Sequence, residues 1–170
     1  MKTSALLLLS SPLAIAALAM SATAQTTAEN FRIVPEGQLG RWWISDRDLA
    51  PRYPIEALQT GTEGCISVAF AVHGDGTARP VRVLREVWSS ANKDTGKLFE
   101  QLVTQSLTQA RFSPAPTNKD RLPVYTYLWF TYRVEGSKKT EAELQKPCEV
   151  PDFIHQTQQG MSDTTASAKS

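Results

Sequence analysis

Side chains suited to chemistry are sparse in this 170-residue chain. Its densest cluster of such residues is His73-Gly74-Asp75-Gly76, set between two stretches of alternating apolar residues. A phosphate cradle places glycine N–H groups at a helix N-terminus, usually with a lysine. These glycines lie between two strand patterns, and no helix pattern follows them. A calcium loop needs oxygen ligands at alternate positions and a closing glutamate. Asp75 is the only acid between Gly64 and Glu86. Gly-Asp-Gly tolerates the positive φ that hairpin turns require. The cluster therefore reads as a turn, with no metal and no cofactor.

Nucleophilic catalysis finds no better footing. Of the two histidines, His73 sits on that turn and His155 near the C-terminus. No serine stands in a G-x-S-x-G elbow, and no H-E-x-x-H occurs. Glu63, Asp75, Glu86 and Asp94 are scattered over loops and strand ends, so no tuned acid/base pair is in view. Cys65 would be a nucleophile only if free and beside a histidine. The chain reads as a non-enzyme without a small-molecule substrate. With 18 basic against 17 acidic residues, it offers no electrostatic reason to bind nucleic acid.

The N-terminus has the anatomy of a secretory leader. Lys2 is followed by apolar runs at Ala5–Leu9 and Leu13–Met20, then Ala22-Thr23-Ala24, a cleavage pattern. The longest unbroken run is short for a membrane span. Cleavage after Ala24 would leave 146 residues in the periplasm. A retained segment would instead place the chain on the periplasmic side of the inner membrane. Export permits a disulfide, and an even pair, Cys65 and Cys148, favours one over two buried free thiols. Such a bond would close a loop of roughly 80 residues, worth on the order of 4 kcal/mol by loop entropy.

The elements that must position any site follow from periodicity. Trp42-Trp43 reads as an aromatic plug for an open edge of the core. Pro54 suits the start of a short helix over Ile55–Gln59, which Gly61 ends. Gly64–Val72 alternates: Ile66, Val68, Phe70 and Val72 share one face, and Cys65, Ser67, Ala69 and Ala71 the other. The second face is small rather than charged. A Cys65–Cys148 bond would make the C-terminal segment its cover. Thr77–Val87 is the partner strand, and Pro80 marks it as an edge.

Phe99, Leu102, Val103, Ser106, Leu107 and Ala110 form a helical stripe running toward Phe112, before Pro114 and Pro116. Val124–Val134 is the strongest strand signal. Tyr125, Tyr127, Trp129, Thr131 and Arg133 share one of its faces and are the candidate residues for binding a peptide or protein partner. Glu141–Lys146 reads as one helical turn, and the chain from Gln156 as a disordered tail. The fold expected is α+β: a small antiparallel three-stranded sheet in hairpin, helix, strand order. A short N-terminal helix and one main helix pack on one face. The long last strand offers an edge to which an extended peptide can add.

The order of these features resembles the C-terminal domain of the TonB family of energy transducers. Tyr53-Pro54, Glu63-Gly64, Asp75-Gly76, Phe112, Pro114 and the strand ending near Gly136 carry the likeness, which covers about Arg52 to Gly136. The resemblance implies a periplasmic domain that binds the TonB box of an outer-membrane receptor by strand addition to Val124–Val134. It also implies contact at Arg52, Tyr53 and Pro54. The organisation expected is a leader over 1–24, a lead-in over 25–50, and a TonB-like domain over 51–136. An extension over 137–155 and a tail over 156–170 follow. The partner expected is an outer-membrane receptor, another envelope protein, or a second copy. Family transducers carry a membrane anchor and a proline-rich spacer, where this sequence shows the leader pattern.

Overall fold

The computed structural model describes residues 30–90 and 93–159. The leader and the last part of the tail lie outside them. Nine residues of strict alternation, Gly64–Val72, form β3, the middle of the main sheet. The hairpin brings back β4, Ala78–Trp88, antiparallel to it. The aromatic run Val124–Tyr132 forms β6, antiparallel to β3 on its other side.

The sheet has four strands rather than the three expected, in the order β1 (Arg32–Ile33), β6, β3, β4. The extra strand is β1, Arg32–Ile33, which pairs parallel to β6 through Arg32↔Val124 and Ile33↔Tyr125. Two residues are too few to show a period, so only the tertiary pairing defines this strand. A second, two-stranded sheet joins β2, Trp43–Ser45, to β5, Phe112–Pro114. The main helix α2, Lys93–Gln109, therefore stops before Phe112. Asp46 fixes that stop: its N–H donates to the Arg111 carbonyl, and its carboxylate accepts the Arg111 N–H.

One face of the sheet carries the main core. Ile66, Val68, Phe70 and Val72 are fully buried beneath Phe99, Val103 and Leu107 of α2 and Ala110 just after it. Burial of each large side chain here stabilises by about 1.5–3 kcal/mol. Trp43 is 1% exposed and donates its indole N–H to the Leu122 carbonyl at 3.0 Å, so this indole is the expected plug. The helix α1, Ile55–Gln59, follows Pro54, whose extended backbone precedes the first turn.

The opposite face belongs to the C-terminal extension. Cys65 and Cys148 form a disulfide, with Cα atoms 6.0 Å apart. It seats a 3-10 turn, Lys146–Cys148, behind helix α3, Glu141–Gln145. Thr140 and Glu143 form a capping box at the start of α3. Val150 and Phe153 then join Ala69 and Tyr127 in a second apolar cluster. Residues 153–159 are helical, so 156–159 are not the structureless chain expected there.

The glycine-rich turn is a hairpin turn held by its own acid. Asp75 accepts from the Thr77 hydroxyl at 2.6 Å and the Thr77 N–H at 2.9 Å, and pairs with Arg79 at 3.0 Å. These bonds, the Thr77 hydroxyl foremost, hold its pKa down at about 2. A depressed carboxylate stabilises the fold above its unfolded value and loses that contribution as pH falls through its folded one. Asp75→Asn is therefore expected to cost under about 1 kcal/mol at neutral pH, since the group is solvent-screened. Thermal melts should show the gap between variant and parent closing between pH 4 and pH 2.

Candidate functional site

The open stretch of β6 is the candidate site. The Tyr125 carbonyl accepts the Val34 N–H at 3.0 Å, so the odd-numbered peptide groups of β6 face the β1 edge. Beyond Tyr125, no strand among the described residues pairs with that edge. A groove of about 390 Å³ runs beside it. Trp129, Phe130, Thr131 and Tyr132 line one side, Ala50, Pro51 and Tyr53 face them, and Glu141 completes the lining.

Each wall has a local cause. Pro51 and Pro54 keep the segment before α1 extended. Tyr53 packs edge-on against Phe99 and Tyr132 and donates its hydroxyl to the Thr62 carbonyl. Tyr132 is 5% exposed, and its hydroxyl has no partner among the described residues. Burial, then the nearby Tyr53, raise its pKa far above the ordinary tyrosine value. At the end of β6, the Glu63 carboxylate accepts the Val134 N–H at 3.1 Å. Its pKa is lowered, chiefly by a hydrogen bond from Ser137 and then by that N–H. This gives Glu63 a role in anchoring the chain beyond β6.

Of the residues singled out in the sequence, the structure gathers Tyr53, Trp129 and Thr131 in the groove. Arg52 is exposed beside it, and Pro54 is buried at the start of α1. The side chains of Tyr125 and Tyr127 are already engaged. Tyr125 stacks on Phe153 at 5.7 Å, and Tyr127 lies 4.6 Å from the same ring. Burial raises the pKa of both phenols. The Arg133 guanidinium donates to the Lys139 and Ser137 carbonyls and so ties down the loop before α3. Ala50, Pro51, Phe130, Tyr132 and Glu141 escaped the sequence reading. Phe130 and Tyr132 lie on the other face of the strand from the candidate residues, and nothing in the sequence places Glu141 beside β6.

Comparison with known proteins identifies the family. The family described as Gram-negative bacterial TonB protein C-terminal matches residues 50–134, half of the chain. This chain belongs to that family. Its members are periplasmic, non-enzymatic protein-interaction modules that meet partners such as outer-membrane receptors. Among solved structures, the Pseudomonas aeruginosa TonB C-terminal domain is similar at 24% identity and a TM-score of 0.44. The match covers 56% of this chain and 90% of that one. A Helicobacter pylori TonB C-terminal domain is similar at 18% identity and a TM-score of 0.37, covering 51% and 72%. No curated protein matches the chain. Among the described residues, no helix is long and apolar enough to cross a membrane.

Proposed function

We propose that this chain is a periplasmic binding module for TonB-dependent transport. It takes an extended, TonB-box-like peptide of an outer-membrane receptor, or of another envelope protein, as an added strand on β6. The observation that carries this reading is the unpaired edge of β6 lying in a groove with an apolar wall. Trp129 and Thr131 present main-chain donors and acceptors there, which give affinity in strand addition. Tyr53 and Pro51 form the facing wall, flanked by Arg52 and Pro54. Tyr125, Tyr127 and Arg133 act from behind, by holding the extension that carries Glu141. The binding domain is residues 51–136, exported behind a leader over 1–24.

An NMR titration with receptor N-terminal peptides tests this. Shifts are expected at Trp129–Tyr132 and at Tyr53. Thr131→Pro removes one outward N–H and should weaken binding roughly fivefold, the worth of one hydrogen bond. Saturation without shifts in β6 would sink the reading. The exposed Leu84 and Val87 on edge strand β4 favour a second reading, self-association by sheet extension. A monomer in sedimentation at high concentration removes it. Sequencing the N-terminus of exported material separates the cleaved module from an anchored transducer.

A further inference from the structure

We infer that β1 and Pro35 form a built-in stop that confines an added strand to the Trp129–Tyr132 stretch of β6. The inference rests on the docking reading above and concerns where on β6 a partner can bind. The chain's own lead-in already occupies the first part of the same edge. Arg32 N–H donates to the Pro123 carbonyl at 2.9 Å, and Val34 N–H to the Tyr125 carbonyl at 3.0 Å. In a continuing parallel ladder, the Val34 carbonyl would next accept the Tyr127 N–H. Instead it accepts the buried Thr126 hydroxyl at 3.0 Å. The next residue is Pro35, which has no N–H to extend the ladder. Its carbonyl accepts from Gln38 N–H, and the chain turns away.

A two-residue strand alone would be easy to displace. This one is fastened on both faces. Val34 is 4% exposed within the main core, and Ile33 packs on the second cluster. The Arg32 guanidinium lies 4.3 Å from the centre of a Trp42 ring. An incoming peptide therefore meets a fixed end rather than a competitor. Two outward residues, Trp129 and Thr131, remain in the groove, enough for about four main-chain hydrogen bonds. The partner that fits is a short extended segment whose remaining chain leaves the edge before Tyr127. Long strand-forming peptides gain nothing from their extra length.

Amide hydrogen exchange on the full chain, with a synthetic receptor N-terminal peptide as probe, tests this. The expected result is protection rising about tenfold or more at Trp129 and Thr131, with Tyr125 and Tyr127 unchanged. Arg32→Ala combined with Thr126→Val loosens β1 without touching the groove, and protection should then spread to Tyr127. A peptide-induced rise in protection at Tyr125 and Tyr127 of the parent chain would overturn the stop while leaving docking intact. An unchanged footprint in the folded double variant would also overturn it. Saturating peptide that protects no β6 amide overturns the docking reading, and the stop with it.

Discussion

Replacing Cys65 and Cys148 together with alanine is expected to lower the free energy of unfolding by about 4.5 kcal/mol, from loop-closure entropy alone. The bond spans a sequence separation of 83, so the unfolded chain gains a large loop's freedom when it is removed. Strain in the native bridge would reduce that figure, and the two small cavities would add to it. Both cysteines are fully buried, so a reductant reaches the native bond slowly. The double variant is therefore the cleaner equilibrium test, read by urea denaturation of the full chain. The loss should also have a location. Without the bond, the extension is held by Leu144, Val150 and Phe153 against the small-residue face of β3 and the tyrosines of β6. Exchange should accelerate first in α3 and around Tyr125 and Tyr127, before the main core opens. A loss below about 1 kcal/mol would mean that loop closure contributes little, and that the apolar contacts of the extension suffice.

The contrast between legible and hidden parts of this fold has a physical origin. The strands β3 and β6, the hairpin and α2 are long enough for a period to declare itself in the residues. The match of Ile66, Val68, Phe70 and Val72 to Phe99, Val103 and Leu107 was readable because both stripes are apolar on one side. The small face of β3 implied a cover, and the disulfide showed which segment supplies it. Short strands are different. β1 has two residues and β5 three, and each exists because a distant segment offers it hydrogen bonds. β5 was further obscured by the helical stripe that leads up to it. The site suffered from another ambiguity. Both faces of β6 are aromatic, so alternation separates them without saying which one stays open. The side chains of Tyr125 and Tyr127 read as peptide pockets, yet Phe153 covers them, and the accessible element is the strand's edge. Edges are set by what pairs with them, which no period of one strand encodes.

Gly76→Ala is expected to be the most damaging single methyl group that can be added to the turn of this hairpin. Two costs meet at that position. Gly76 has φ of +78°, a region that costs an L-residue roughly 1–2 kcal/mol. A Cβ there would also lie 2.2 Å from the Phe112 carbonyl oxygen. That oxygen is backbone, and Phe112 N–H is itself bonded to the Gly76 carbonyl at 2.9 Å, so neither partner can step aside alone. Forced repacking adds about 1–3 kcal/mol, for a total of about 2–5 kcal/mol. Two other glycines separate the contributions. Gly61 has φ of +61° with open space around it, so Gly61→Ala carries the backbone cost alone. At Gly74, φ is not in the positive region and the nearest atom to an added Cβ, the Arg121 carbonyl oxygen, is 3.3 Å away. The Arg121 carbonyl has to give by only a few tenths of an ångström, so Gly74→Ala should cost under about 1 kcal/mol. Chemical denaturation of the three variants should rank them Gly76, Gly61, Gly74 in order of loss. If Gly76→Ala costs no more than Gly61→Ala, the hairpin can lift away from β5. The turn would then set only the β3–β4 register and have no hold on the strand that follows α2.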